Sequence, residues 1–254
     1  MPVTFSLIET GIGLLEVNRP EARNALNWQD MDAFASCVEQ ARQTDGLAAL
    51  IITGAGSAFI AGGDLKELHN FSASADALRL SDRMGTALQQ MEELPCPVIA
   101  AINGPARGGG VEIALACDLR VVSENATLGL VQVNLGLTPG WGAAQKLVHL
   151  VGYARAFELL TLGRVLSAAE ALSFGLANRI DPFNDALDMA IELARTLRSQ
   201  PQSAVLALKR ILQANLRLPP EQARQMEQAE FIPLWTGAEH RQAVERFLQA
   251  RKDK

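Results

Sequence analysis

The segment Cys96 to Asp118, CPVIAAINGPARGGGVEIALACD, constrains the fold more than any other part of the chain. Pro97 to Ile102 is a short apolar run with β-branched members, the pattern of a buried strand. Asn103, Gly104 and Pro105 are turn formers. Gly108, Gly109 and Gly110 follow, and Val111 to Cys117 reads as a helix. Strand, glycine turn and helix in succession let a ligand approach backbone N–H groups that no side chain blocks. The first turn of a helix has unpaired donors and a partial positive charge. Such a turn can receive a phosphate, or an oxygen that becomes negative during a reaction. Glu112 places a carboxylate within one turn of those donors, an arrangement suited to acid–base chemistry. Taken alone, the same residues also fit a packing turn or a dinucleotide loop, although the pattern GxGxxG is absent. Glu112 alone also fits an exposed carboxylate favoured by the helix dipole.

The rest of the chain alternates strands and helices. Val3 to Ile8 and Ile12 to Val17 read as a hairpin around Thr10-Gly11. Glu21 to Leu26 reads as a loop, and Asn27 heads a helix with Asp30 as its capping-box partner. Ala48 to Thr53 is a buried strand, followed by the loop Gly54 to Gly63 and a second helix start at Asp64. Thus a second glycine turn also leads from a strand to a helix. Ala75 to Leu94 has an amphipathic period with Leu78, Met84, Leu88 and Met91 on one side. Leu119 to Val122, Ala126 to Gly129 and Ala177 to Ile180 are further strands. Gly136 to Gly142 is a turn-rich loop, and Ala143 to Val151, Tyr153 to Leu162 and Ser167 to Phe174 are helices. From Asn184 to Arg251 only helices are expected, broken near Pro201, Pro219-Pro220 and Gly237. Alternation of this kind implies an α/β fold with a mostly parallel sheet, whose ligands meet the loops at strand ends. The shift in composition sets a boundary near residue 200, giving an α/β core over 1–200 and a helical region over 201–254.

Composition removes several function classes. The 254 residues are 48% hydrophobic and 20% charged with net charge −5, so no basic footprint for nucleic acid is present. Cys37, Cys96 and Cys117 lie apart in apolar or helical contexts and read as reduced core thiols. His69, His149 and His240 lack metal-ligand spacing, so no metal site is expected. No segment reads as a signal peptide or a membrane span. No GxSxG elbow appears, which argues against a Ser-His-Asp hydrolase. A cytoplasmic protein without membrane partners is expected.

With these residues in view the chain resembles the crotonase family, also called the enoyl-CoA hydratase/isomerase family. The resemblance runs from Asn18-Arg19-Pro20 and Asn24-Ala25-Leu26 through Thr53-Gly54 to Phe59 and Ala61-Gly62-Gly63-Asp64-Leu65. It continues through Pro97 to Gly110, Glu112, Ala116-Cys117-Asp118, Pro139-Gly140, Gly152, Gly163 and Gly175-Leu176, and Glu230 to Arg251 resembles the family's final helix pair. It implies an α/β, crotonase-like spiral of ββα units with a C-terminal helical trimerisation region. It also implies a homotrimer or dimer of trimers, acting on an acyl-CoA thioester. Coenzyme A would enter as part of the substrate, with no covalently bound cofactor. By motif position Gly63 and Gly109 would give the two N–H groups of an oxyanion hole, and Glu112 would be an acid/base. Ala61, Asp64, Leu65 and Lys66, with Ala22, Arg23 and Ala25, would line the coenzyme A side. The family's late CoA-binding lysine falls at Ala250, with Arg251 or Lys252 as substitutes.

One departure bears on the reaction. Hydratases of the family use a second glutamate, whose place is held here by Gln132. Glutamine keeps the size and can hold a water, but it does not exchange protons near neutral pH. The segment Val133 to Gly136 resembles methylmalonyl-CoA decarboxylases, and Pro139 to Gly142, with Trp141, resembles ethylmalonyl-CoA decarboxylases. The leading expectation is hydration of a 2-enoyl-CoA. The alternatives are decarboxylation of a malonyl-type CoA thioester, enoyl-CoA isomerisation, and a non-catalytic acyl-CoA-binding trimer. Arg107 could pair with a substrate carboxylate or be a surface or subunit-contact arginine. Trp141 could be a pocket wall or a packed loop anchor.

Overall fold

The computed structural model describes residues 2–183 and 185–249. Ala250, Arg251 and Lys252, which the resemblance nominates for coenzyme A, lie outside the described residues. The chain forms two compact units, Met1–Thr196 and Leu197–Lys254.

In the first unit, strands β1 (Val3–Glu9) and β2 (Ile12–Val17) form an antiparallel hairpin. Its turn needs Gly11, whose φ of 73° suits glycine best. A short 3-10 turn, Pro20–Ala22, replaces part of the expected loop and precedes helix α1 (Trp28–Gln43). The Asn27 side chain accepts from the Asp30 amide and the Asp30 side chain from the Asn27 amide, so the expected capping box forms. Then come β3 (Ala49–Gly54), the four-residue α2 (Leu65–Leu68), α3 (Ser74–Glu92), β4 (Val98–Ile102) and β5 (Ala106–Arg107). Helix α4 (Gly109–Ala116) leads to β6 (Leu119–Ser123) and β7 (Thr127–Gly129). A second 3-10 turn, Gln132–Leu135, precedes α5 (Ala143–Val151), α6 (Tyr153–Leu162), β8 (Val165–Ser167), α7 (Ala168–Ser173), β9 (Arg179–Asp181) and α8 (Ala186–Arg198).

The main sheet has the order β1-β2-β3-β4-β6-β9, antiparallel at the first pair and parallel thereafter. Strands β3 and β4 are buried at every position, which explains their unbroken apolar runs. A smaller sheet joins β5, β7 and β8. The core gathers Phe34, Met31 and Val38 of α1, Met84, Leu88 and Met91 of α3, and the buried strand residues. Leu78, expected on the same face as Met84, is instead 62% exposed. Among the buried residues of α3 the series starts only at Met84, so the first turns of that helix lie beyond the core they would cover.

The second unit contains α9 (Gln202–Arg217), α10 (Pro220–Thr236) and α11 (Ala238–Gln249). Arg210 of α9 donates from Nε and Nη2 to the two carboxylate oxygens of Glu230 on α10, both at 2.6 Å. Leu208, Leu212 and Leu216 on α9, and Phe231, Ile232 and Trp235 on α10, are exposed. No helix among the described residues is long and apolar enough to cross a membrane.

Candidate active site

The two glycine turns, distant in sequence, meet in space. A Cβ built on Gly62 would lie 2.9 Å from the backbone nitrogen of Gly109 and 3.1 Å from the Arg107 carbonyl oxygen. Gly62 has φ of +91° and Gly108 φ of +49° with ψ of −118°, conformations that side chains resist. Between these turns the amides of Gly63 and Gly109 donate to no acceptor among the described residues. Two such donors aimed at one region can bind an oxygen as it gains charge.

Each turn is fixed by its surroundings. The first turn pairs with the Asn24-Ala25-Leu26 stretch. Leu26 donates to the Gly62 carbonyl at 2.8 Å, Asp64 donates to the Leu26 carbonyl at 2.8 Å, and Ala61 donates to the Arg23 carbonyl at 3.1 Å. Thus Ala22, Arg23 and Ala25 are brought together with Ala61, Gly63 and Asp64. Asn24, buried, with φ of 60°, donates from Nδ2 to the carbonyls of Ala55, Ala58 and Phe59. Asn103 does the same for Gly54 and Gly56. The Asp64 side chain caps α2 by accepting from the Lys66 amide, and it also pairs with Arg19, which bonds Asp30 at 2.8 Å. Asp64 is therefore engaged in holding the turn. Leu65 and Lys66 point their side chains to the exterior.

The second turn is fixed by packing. A Cβ on Gly110 would lie 1.8 Å from the Ile60 carbonyl oxygen, and one on Gly109 would lie 2.0 Å from the Trp141 ring. Every residue of α4 is buried. The Trp141 indole thus lies against Gly109, beside the unpaired amide, and is 6% exposed.

Glu112 is 2% exposed and makes four hydrogen bonds. Its Oε1 accepts from Gln132 Nε2 at 3.0 Å and from the Gly140 amide at 3.3 Å. Its Oε2 accepts from the amides of Trp141 at 2.8 Å and Ala143 at 3.2 Å. Burial pushes the carboxyl above its usual range, while the donors from Trp141, Ala143, Gly140 and Gln132 pull the other way. An exposed helix carboxylate would need none of this. The loop that supplies the donors is itself tied down, because the Ser81 hydroxyl donates to the Gly140 carbonyl at 2.7 Å.

Arg107 is half-buried, and its guanidinium donates to the carbonyls of Ala106 and Thr127 and to the Thr127 hydroxyl, all at 2.9 Å. Burial and then the charge of Arg23 lower its proton affinity. Its side chain ties β5 to β7. Sequence reading missed the supports, namely Arg19, Asn24, Asn103 and Ser81. The signal for the first three was polar residues in turn segments, Asn18-Arg19-Pro20 to Asn24 and Asn103-Gly104-Pro105; for Ser81 there was none.

A family model for enoyl-CoA hydratase/isomerase matches residues 7–254. The chain is 32% identical over 247 residues to a probable enoyl-CoA hydratase of Bacillus subtilis, covering 96% of this chain and 95% of that protein. It is 32% identical over 245 residues to a short-chain-enoyl-CoA hydratase of Clostridium acetobutylicum, covering 96% and 94%. The crystal structure of an enoyl-CoA hydratase from Bacillus anthracis superimposes with a TM-score of 0.92 at 31% identity, covering 98% of this chain and 97% of the other.

Proposed function

The chain belongs to the enoyl-CoA hydratase/isomerase (crotonase) family, and on that premise we propose that it hydrates a 2-enoyl-CoA thioester. The observation that carries this reading is a buried carboxylate held by four donors next to two unpaired glycine amides. The Gly63 and Gly109 amides form the oxyanion hole for the thioester carbonyl, and Glu112 moves the proton. One such donor is worth roughly 10²–10³ in rate in other enzymes. Ala22, Arg23, Ala25, Ala61, Leu65 and Lys66 face coenzyme A, while Asp64 supports them from beneath through Arg19. Trp141 forms a wall of the acyl site and Arg107 fastens the strand pair behind it. Coenzyme A enters with the substrate, and the chemistry asks for no metal; among the described residues no cluster of His, Cys, Asp and Glu could hold one. As part of the same proposal, residues 1–200 form the acyl-CoA core and 201–254 a trimerisation region. The protein works in the cytoplasm, in fatty acid metabolism, as a trimer or dimer of trimers. Light scattering after gel filtration checks the assembly.

One observation supports decarboxylation as a second reading: Gln132 leaves the site with one titrating carboxylate. Against it, Arg107 is spent on Thr127. Mass spectrometry of the protein incubated with crotonyl-CoA, and separately with methylmalonyl- and ethylmalonyl-CoA, decides. Gain of one water on crotonyl-CoA is expected. Loss of carbon dioxide without hydration would put the second reading first, and neither change would leave the family's binding role alone.

A further inference from the structure

The shortest of the four hydrogen bonds on Glu112, 2.8 Å, comes from the Trp141 amide. The carbonyl of that same peptide belongs to Gly140, and it accepts from the Ser81 hydroxyl of α3 at 2.7 Å. A planar trans peptide points its C=O and its N–H in opposite directions. Ser81 and Glu112 therefore grip one rigid unit from its two ends, in the chain Ser81 O–H···O=C–N–H···Oε2 Glu112. A helical serine has another use for its hydroxyl, the carbonyl of its own preceding turn. Ser81 gives it instead to a residue 59 positions away.

Packing does little to set the plane of this peptide. A Cβ built on Gly140 would meet nothing within 4 Å, and one on Gly142 would meet only the end of Lys146, at 3.4 Å. The Trp141 ring is packed, but a side-chain anchor does not by itself fix the preceding peptide, and glycine resists its rotation least. A turned peptide would present its carbonyl to the carboxylate, oxygen against oxygen. A second tie, from Lys146 of α5 to Glu92 of α3 at 2.6 Å, holds the far side of the loop. We infer that Ser81 is a positioning residue for the acid/base step, which keeps the Gly140–Trp141 peptide turned so that its N–H is aimed at Glu112. Its consequence for turnover rests on the hydratase reading.

Hydrogen bonds in series polarise one another, so a peptide whose carbonyl is bonded is the better N–H donor. Burial raises the proton affinity of Glu112, and the Trp141 amide leads the donors that oppose it. Loss of the Ser81 hydroxyl should therefore move the Glu112 titration upward. The groups that bond Glu112 are uncharged: the backbone of Gly140, Trp141 and Ala143, and the Gln132 carboxamide. Helices α3 and α5 and strand β5 pack against α4, and most of their charges are engaged elsewhere. Arg107 of β5 bonds Thr127, Lys146 of α5 pairs with Glu92, and on α3 Arg83 pairs with Asp32, Arg79 lies over the Trp28 ring and Asp76 caps its own helix. Asp82 and Glu93 of α3 and His149 of α5 are exposed. Ser81 is half-buried and Gly140 exposed, so water competes for the carbonyl and the effect is modest.

The test titrates Glu112 directly, by carbon-13 NMR of protein labelled at the glutamate carboxyl carbons, in wild type, Ser81→Ala and Ser81→Thr. A Glu112→Gln sample identifies the signal. Alanine suits a half-buried helix position and removes only the hydroxyl; threonine keeps it. The Glu112 midpoint should lie about half a pH unit higher in Ser81→Ala and return to the wild-type value in Ser81→Thr. Hydration of crotonyl-CoA should follow. The acid limb of kcat/KM moves up by the same amount, because Glu112 must be ionised to take a proton from water. The plateau kcat falls by about threefold to tenfold, with KM changed less than about twofold. An unchanged midpoint in Ser81→Ala, or a Ser81→Thr variant that behaves as alanine does, overturns the inference, whatever happens to the melting temperature. If the wild type does not hydrate crotonyl-CoA, the hydratase reading fails and the NMR titration carries the test alone: an upward shift in Ser81→Ala supports the positioning role, and no shift overturns it.

Discussion

At the first glycine turn, after β3, polar side chains hold the backbone; at the second, after β4, close packing does. Asn24, Asn103 and the Arg19–Asp64 pair bind the loop that ends at Gly63. At Gly109 the backbone is held by contact instead. There the Ile60 carbonyl and the Trp141 ring occupy the places where side chains would be. Both turns end in an amide without an acceptor among the described residues. The comparison shows that one local geometry can be enforced by hydrogen bonds or by exclusion, and that the two supports fail differently. A hydrogen-bonded turn loosens by degrees when a donor is removed. A packed turn tolerates its small residue and little else.

That contrast is open to direct attack. The largest effect is expected at Gly110→Ala, because the added methyl meets backbone, 1.8 Å from the Ile60 oxygen, and backbone cannot step aside cheaply. Urea unfolding should show a loss above about 3 kcal/mol, and a loss below about 1 kcal/mol would mean that packing does not define the second turn. Gly109→Ala comes next. Its methyl would strike the Trp141 ring, displacing the amide from its target, and hydration should fall by roughly 10²–10³. Adding Trp141→Ala to the same protein should recover part of the rate; no recovery would show that the ring is not the obstacle. Asn24→Ala probes the other support. It removes donors to three carbonyls, two of them buried, at about 1–3 kcal/mol, and puts alanine at a positive φ that asparagine tolerates better. Asn24→Gly relieves the backbone and leaves the hydrogen-bond loss alone, so thermal melts of the pair separate the two contributions.

A smaller effect is expected from pH, and only at the second turn. The Glu112 carboxyl is raised in the folded protein, chiefly by burial. Its contribution to stability is therefore fully present below the ordinary carboxyl range, near pH 4.3, and is lost as pH rises through the raised folded value. Melting curves of wild type and Glu112→Gln should accordingly diverge in favour of the variant as pH rises from about 4 to 7. A constant difference across that window would remove burial as the cause. The smallest effect belongs to Gly63→Ala. Its methyl meets the ends of two flexible side chains, Leu68 at 2.6 Å, which can turn away, and Met31 at 3.9 Å, an ordinary contact. Hydration within about threefold of wild type is expected, and a loss as large as that of Gly109→Ala would erase the distinction between the turns.

The same contrast explains what the sequence revealed. Strand–glycine–helix order exposed both turns and Glu112, because those signals are local. The α/β class and the helical C-terminal part followed from periodicity and from the drop in glycine. The supports were hidden because they join residues far apart: Arg19 with Asp64, Asn24 with Phe59, Thr53 with Asn103. Strands β5 and β8 were missed since two or three residues carry no periodic signal. Leu78 shares an apolar side with Met84 yet is exposed, because an apolar period cannot tell how far along a helix the partner surface extends. The four donors on Glu112 were invisible for another reason: three are backbone amides, and any residue except proline supplies one.

That last point separates two duties of residue 141. The grip on Glu112 is made by its peptide nitrogen, and the wall against Gly109 is made by its indole. The carboxylate clamp is therefore indifferent to which side chain hangs there, whereas the surface against Gly109 is made by that side chain. On the proposed reading, a substitution here would reshape the wall beside Gly109 and leave the peptide N–H on Glu112 in place.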